Sequence, residues 1–125
     1  MLFDTDVMIW AFRGNAKALS AIDEAQSRCI SSITYMELLQ GVCNKHEMRE
    51  MKKFLSQLGF VTISTNENIS TRAMTIMEET ALKSDLGVCD ALIFATSCET
   101  GETLLSGNEK HFKEVPLMDA VKFRV

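Results

Sequence analysis

Acidic side chains stand at three places in this chain where a short apolar strand is predicted to meet a helix. Asp4 and Asp6 follow the apolar residues at its start, Glu37 lies in a predicted helix after a second strand, and Asp90 opens a short apolar helix. Carboxylates from junctions at the same edge of one sheet would meet around a shared point, and oxygen-only ligands suit a hard divalent cation. The joint pattern therefore predicts a site for Mg²⁺ or Mn²⁺.

The first pair carries the clearest signal. Side chains alternate along a strand, so Asp4 and Asp6 are predicted to point to the same side. Asp6 is also explained as the cap of a helix that begins near Val7. Asp4 has no such explanation, because a carboxylate beside the apolar run Met1 to Phe3 is costly to bury unless a cation or strong donors meet it.

The other two acids each have a purely structural alternative. Thr34 and Glu37 have the spacing of a capping box, and this window alone favours that interpretation. Asp90 is explained equally by the dipole at the start of its helix. Two carboxylates about 4 Å apart repel by about 4 kcal/mol at an effective dielectric of 20, so an acidic cluster without a cation would force one member to hold a proton.

The elements that must position these acids alternate between strands and helices. Apolar runs predict strands at residues 2–3, 29–33, 60–63, 103–105 and 121–123, and helical periodicity predicts helices at 7–12, 17–26, 34–42, 47–58, 69–81 and 90–98. This alternation predicts an α/β sandwich with a central, mainly parallel sheet flanked by helices. In such sheets ligands bind at the carboxyl ends of the strands, where the acids fall.

Length and composition restrict the class of protein. The 125 residues predict a single domain, 1–125, and the chain has neither an apolar run of about 20 residues nor an apolar signal segment, so we expect a cytoplasmic protein without a membrane span. The four cysteines form no C-x-x-C pair and are predicted to be reduced core residues. His46 and His111 are predicted to be surface residues. The net charge of −4 alone argues against a sequence-neutral nucleic-acid binder.

Four blocks of sequence carry a resemblance to a known family. They are Leu2 to Trp10 with Arg13-Gly14-Asn15, Ser32-Ile33-Thr34 with Glu37-Leu38, Asp90 to Ile93 with Ala95-Thr96, and Leu104 to Asn108 running to Phe112. In this order they resemble the motifs of PIN-domain ribonucleases, specifically the VapC-type toxins of type II toxin–antitoxin pairs. The blocks cover almost the whole chain.

The resemblance implies a PIN-like three-layer sandwich and a set of site residues. By position, these are Asp4, Glu37 and Asp90 as metal ligands, Asp6 beside the metal, and Ser106 and Asn108 lining the site. Asn108 departs from the family pattern, because many relatives carry a fourth carboxylate there. An amide ligates weakly and adds no charge, so a second tightly held metal is not expected.

The resemblance also implies a reaction and partners. The expected reaction is Mg²⁺- or Mn²⁺-dependent hydrolysis of cellular RNA, such as structured tRNA, by water, leaving a 5′-phosphate and a 3′-OH. The expected partners are a cognate antitoxin, whose apolar side chains enter a groove, and a second copy of the chain. Without the four site acids, acidic and basic residues are equal in number, so RNA could bind locally. The candidate phosphate contacts are Arg13, Lys17, Lys45, Arg49, Lys52, Lys53, Lys110 and Lys113.

Three other functions share some of these sequence features. Asp4-Thr5-Asp6-Val7 also suits a haloacid-dehalogenase-like phosphatase, and Ser84-Asp85 with Asp90 resembles its last acidic motif, but that motif should follow a strand and here follows a predicted helix end. A response-regulator receiver needs an Asp near mid-chain, and none lies between Asp23 and Asp85. A catalytically silent PIN-fold interaction module would not need the three acids.

Overall fold

Five short parallel strands form the centre of the computed structural model, which describes residues 1–125. The strands are β1 (Leu2–Phe3), β2 (Cys29–Ser31), β3 (Val61–Ile63), β4 (Leu104–Ser106) and β5 (Ala120–Lys122). They are ordered β3-β2-β1-β4-β5, and every neighbouring pair is parallel. The predicted parallel α/β architecture is confirmed.

Six α-helices and one 3₁₀ helix connect the strands. They are α1 (Thr5–Phe12), α2 (Ala16–Glu24), α3 (Ser32–Gln40), α4 (Lys45–Gln57), α5 (Glu67–Thr80), α6 (Val88–Thr100) and the 3₁₀ helix Glu109–Glu114. Each of the first five α-helices is preceded by an N-cap residue whose side chain accepts a hydrogen bond from a free backbone N–H group. No helix combines the length and apolar character that a bilayer crossing needs.

The sheet separates two hydrophobic cores. Leu2 packs with residues of α5 and α6, whereas the next residue, Phe3, packs with residues of α1, α2, α3 and α4. Leu104 and Leu105 on β4 divide in the same way. This alternation follows from the pleat, which turns successive side chains to opposite faces. The result is a sheet with helices on both faces, the three-layer sandwich that the resemblance implied.

The strand order also defines where a ligand belongs. The chain adds β2 and β3 on one side of β1, then crosses to add β4 and β5 on the other side. Connections therefore leave β1 and β4 in opposite directions and open a crevice at their carboxyl ends. Asp4 directly follows β1, and Ser106 is the last residue of β4.

Two details differ from the sequence-based expectation. The four cysteines are free, as expected, but Cys43 and Cys89 are exposed rather than in the core. Cys43 lies in the loop between α3 and α4, and Cys89 lies on the first turn of α6. The 3₁₀ helix between β4 and β5 was not predicted, because its six residues are too few to show a helical repeat.

Candidate active site

Asp4 is the most buried of the predicted site residues that carry a charge. Its side chain is 6% exposed. Oδ1 accepts a hydrogen bond from the Thr5 N–H at 2.7 Å, and Oδ2 accepts one from Ser106 Oγ at 2.6 Å. Asp4 is thus the N-cap of α1, and the expectation that it had no capping role is wrong.

Burial is the main reason that the pKa of Asp4 is raised to about 6. The hydrogen bond from Ser106 lowers this pKa, and the negative charge of Asp6 raises it. Asp90 adds a smaller repulsion in the same direction. None of the four site acids forms an ion pair with a basic side chain. Asp4 is therefore a carboxylate held in place by donors and surrounded by like charge.

Asp6 connects the first turn of α1 to the loop after β4. Its Oδ1 accepts from the Val7 N–H at 2.8 Å, and its Oδ2 accepts from the Gly107 N–H at 2.9 Å. The helix begins at Thr5, so Asp6 is not its N-cap as the alternative interpretation supposed. Burial is the main reason that the pKa of Asp6 also lies above its ordinary value, and the charge of Asp90 adds to the effect.

Gly107 permits this connection because it has no side chain. A Cβ at this position would lie 2.5 Å from Asp6 Oδ2, well inside van der Waals contact. Sequence reasoning missed Gly107 as a functional position, although the glycine stands directly between Ser106 and Asn108. Glycine at a close backbone approach is the signal that could have identified it.

Glu37 faces the cleft and does not form a capping box. Helix α3 begins at Ser32, and its N-cap is Ser31, whose Oγ accepts from the Ile33 N–H at 3.0 Å. Thr34 is therefore already inside the helix and buried. Glu37 Oε1 instead accepts a hydrogen bond from Thr5 Oγ1 at 2.6 Å, so the capping-box interpretation is wrong.

Thr5 is a second residue that sequence reasoning missed. Its hydroxyl group ties the start of α1 to α3 through Glu37 and lies 3.1 Å from Thr34 Oγ1. Only its place between two aspartates marked it in the sequence. Its contact partners are about thirty positions away in the chain, a separation at which no local pattern can indicate them.

The remaining predicted residues complete the cleft. Asp90 lies in the first turn of α6, whose N-cap is Gly87. Ser106 is fully buried beneath the cleft and links two predicted residues, because its Oγ donates to Asp4 and accepts from the Asn108 N–H at 3.0 Å. The cleft itself is lined by Asp4, Thr5, Asp6, Ile9, Glu37, Asp90 and Asn108. The structure thus brings all six predicted site residues together.

The donor set fits a hard divalent cation by its chemistry. Four carboxylates and an amide offer oxygen ligands. Asp4 is buried and repelled by Asp6 and Asp90, and no basic side chain pairs with any of the four acids. The arrangement is not a preformed cage, because no three Asp, Glu, His or Cys side chains lie close enough together to hold a metal ion. Asp4 and Asp6 are also partly committed to hydrogen bonds with the protein.

A second groove adjoins the cleft. It shares Ile9 and Glu37 with the cleft, and its apolar wall consists of Ile9, Phe12, Leu38, Val42 and Met51. Arg13 lies at its edge and forms no ion pair. None of the eight candidate phosphate contacts lines the cleft itself, and Lys110 is paired with Asp85 at 3.0 Å.

Several solved structures share this fold. VapBC2 of Rickettsia felis, solved bound to a DNA fragment from its promoter, is 22% identical over 98% of both chains with a TM-score of 0.83. A toxin–antitoxin complex from Klebsiella pneumoniae is 27% identical over 99% of this chain and 98% of that chain, with a TM-score of 0.79. VapBC-1 of nontypeable Haemophilus influenzae is 18% identical over 97% and 96%, with a TM-score of 0.82.

No curated protein sequence matches the chain. The profile of the PIN domain family, in contrast, matches residues 1–117, which include every strand except β5 and all of the cleft residues. The chain therefore belongs to the PIN domain family.

Proposed function

We propose that this protein is a VapC-type toxin, a metal-dependent endoribonuclease that cleaves cellular RNA, such as structured tRNA, in the cytoplasm. The observation that carries the proposal is the convergence of Asp4, Glu37 and Asp90 on one cleft at the carboxyl end of β1. Membership in the PIN domain family supports it. So do the similar solved structures, which are VapBC and toxin–antitoxin complexes.

In this proposal Asp4, Glu37 and Asp90 hold one Mg²⁺ or Mn²⁺ ion. When bound, the ion supplies a Lewis acid that makes water more acidic and offsets charge on the phosphate. The other residues act on these ligands. Ser106 orients the carboxylate of Asp4, Thr5 orients that of Glu37, and Asp6 holds the backbone of the loop that carries Asn108.

The phosphatase alternative is less well supported by the same geometry. Ser84 and Asp85 lie in the loop that follows helix α5, not after a strand. The acidic motif of that family thus lacks its position in this fold.

We further propose that an antitoxin inhibits the protein by covering the cleft. The apolar groove beside Glu37 would accept its apolar side chains, and a basic residue of the antitoxin would reach the acidic cleft. A homodimer is the second proposed partner arrangement, and the exposed side chains of Met74 on α5 and Val88 on α6 offer apolar surface for it.

Sequencing of RNA ends tests the reaction. Purified protein, freed of any partner, is incubated with total RNA and either Mg²⁺ or EDTA, beside an Asp4→Asn variant purified identically to control for contaminating nucleases. We expect cleavage only by the wild type with the metal, leaving 5′-phosphate and 3′-OH ends. Cleavage that persists in EDTA and leaves 2′,3′-cyclic phosphates would contradict the proposal, and phosphate release from small monoesters without RNA cleavage would favour a phosphatase.

A further inference from the structure

His111 is a buried titratable side chain that the proposed chemistry does not use. It lies in the 3₁₀ helix Glu109–Glu114 and is 4% exposed, so its prediction as a surface residue is wrong, whereas His46 is exposed as expected. No sequence pattern indicated this burial, because His111 stands among charged residues. The ring is covered because the 3₁₀ helix folds against the loop between α5 and α6.

Both ring nitrogens of His111 face groups from that loop or from its own helix. Nδ1 lies 3.1 Å from Glu114 Oε2 and 3.5 Å from Ser84 Oγ, and Nε2 lies 3.2 Å from Asp85 Oδ1. Ser84 Oγ also donates to Glu114 Oε2 at 2.7 Å and accepts from the Leu86 N–H at 3.2 Å. We call the four side chains of His111, Ser84, Asp85 and Glu114 the His111 clasp.

The clasp is not a nucleophile with its base. The only hydrogen of the Ser84 hydroxyl group points to Glu114, not to the imidazole. The pKa of Glu114 lies below its ordinary value because of this Ser84 hydrogen bond and the adjacent His111, and Lys110 lowers the pKa of Asp85. Two ionised carboxylates thus face the ring, an arrangement that holds it in place.

The two segments that the clasp joins each adjoin a part of the chain that carries a cleft residue. The loop ends at Gly87, directly before α6, whose first turn contains Asp90. The 3₁₀ helix begins directly after Asn108. Helix α6 is also the one α-helix without a side-chain N-cap. The segment before it is held by the hydrogen bond from the Leu86 N–H to Ser84 Oγ and by the burial of Leu86.

We propose that His111 is a positioning residue, which holds the loop before α6 against the 3₁₀ helix and thereby fixes Asp90 relative to Asn108 across the cleft. The inference rests on the proposed function for the importance of this spacing, but not for the clasp itself. Residues that orient metal ligands typically contribute 10- to 100-fold to affinity or activity, so an effect of about tenfold is expected here.

Three variants test the role. His111→Phe removes the polar contacts and keeps a ring, and the double change Ser84→Ala with Asp85→Ala opens the clasp from the more exposed side, where folding is less at risk. Arg72→Gln is the matched control, because it breaks the α5–α6 ion pair with Glu99 at 2.7 Å, at the other end of the two helices. Each is compared with the wild type by amide hydrogen exchange, Mn²⁺ titration, thermal unfolding and RNA cleavage.

We expect faster exchange over residues 86–92, Mn²⁺ binding weakened about tenfold and kcat lowered about tenfold with little change in KM in both clasp variants. The Arg72 control should show none of these changes. Asp85→Asn, which keeps an oxygen near the ring, should retain more Mn²⁺ affinity than Asp85→Ala. The two substitutions expose similar surface, so a general loss of stability would not separate them.

Wild-type exchange over residues 86–92 in the folded Ser84/Asp85 double variant would overturn the inference, even if His111→Phe fails to fold. So would equal Mn²⁺ affinity in Asp85→Asn, Asp85→Ala and the wild type. The exchange measurement needs neither RNA nor metal. If the wild type neither cleaves RNA nor binds Mn²⁺, the proposed function fails, and exchange still decides whether the clasp holds the start of α6.

Discussion

The ionised carboxylate of Asp4 lowers the stability of the folded protein. Its pKa rises from 3.8 to about 6 on folding. The folded state then binds the proton more tightly than the unfolded state, so stability falls as the pH rises from about 4 to 6 and the full penalty is present above pH 6. A shift of this size corresponds to roughly 3 kcal/mol at neutral pH.

Asp4→Asn should therefore stabilise the metal-free protein at pH 7 while abolishing RNA cleavage. The amide keeps the size of the side chain and the acceptor for the Thr5 N–H group, but it cannot carry the charge. Urea unfolding at pH 4 and pH 7 measures the effect, and we expect the variant to gain stability over the wild type only at the higher pH. Equal stability of both proteins at pH 7 would contradict this account of Asp4.

Ser106 is predicted to set the protonation of Asp4. Its hydrogen bond lowers the pKa of that carboxyl group, so Ser106→Ala should raise the pKa further and shift the acidic limb of the activity profile to higher pH. A pH–rate profile of RNA cleavage measures the shift. Ser97→Ala is the matched control, because it removes a buried hydroxyl group that bonds the Glu102 carbonyl instead. Identical profiles for the two variants would exclude the proposed role of Ser106.

At the scale of elements, the sequence predicted the order of strands and helices because each element carries its own local signal. Apolar runs identified the strands, and helical periodicity identified the helices. The start of α3 was misplaced because both Ser31 and Thr34 are good capping residues, and tertiary contact decides between them. Once Thr34 is inside the helix, Glu37 is free to accept from Thr5.

Local sequence patterns could not indicate contacts between elements that are far apart in the chain. The four site acids were identified because strand ends in a parallel sheet converge, which is a general rule of the fold. Ser106 and Asn108 were identified only through the resemblance to the PIN-domain motifs. The hydrogen bonds that hold them, from Thr5 to Glu37 and from Gly107 to Asp6, depend on how α1, α3 and β4 pack. The burial of His111 depends in the same way on an unpredicted 3₁₀ helix.

The contact between α1 and the loop after β4 leads to a prediction about Gly107. Gly107→Ala would place a Cβ 2.5 Å from Asp6 Oδ2 and must displace that side chain or the loop. Overpacking of this kind costs typically 1–3 kcal/mol, and we expect about that loss of stability together with reduced RNA cleavage. Gly41→Ala is the control, because a Cβ there meets only ordinary contacts, the nearest at 3.6 Å.

A double-mutant cycle separates the clash from other effects of the alanine. In the background of Asp6→Ala the clashing oxygen is absent, so Gly107→Ala should cost much less than in the wild type. Guanidinium unfolding of the four proteins gives the coupling free energy. A cost that is the same in both backgrounds would mean that Asp6 is not the group that requires glycine at position 107.

At the scale of the whole molecule, charge and apolar surface are arranged around the cleft. The net charge of −4 equals the contribution of the four site acids, so the rest of the protein is neutral. The acidic cleft opens beside an apolar groove, and the exposed Arg13 stands at the groove edge. A partner that combines apolar side chains with a basic residue would complement both surfaces at once, which is what an inhibitor of the cleft requires.

The last prediction concerns toxicity and its relief. Expression of the wild type alone should arrest bacterial growth, whereas Asp4→Asn should not, and co-expression of the neighbouring small open reading frame should restore growth. Val42→Glu would place a charge in the apolar groove without touching the cleft, so it should keep the arrest but weaken the relief by the antitoxin. Growth curves with matched protein levels measure all five cases. Harmless expression of a folded wild type that binds Mn²⁺ would refute the assignment as a toxin. If the antitoxin relieves the growth arrest by the Val42→Glu variant as fully as that by the wild type, the antitoxin binds outside this groove.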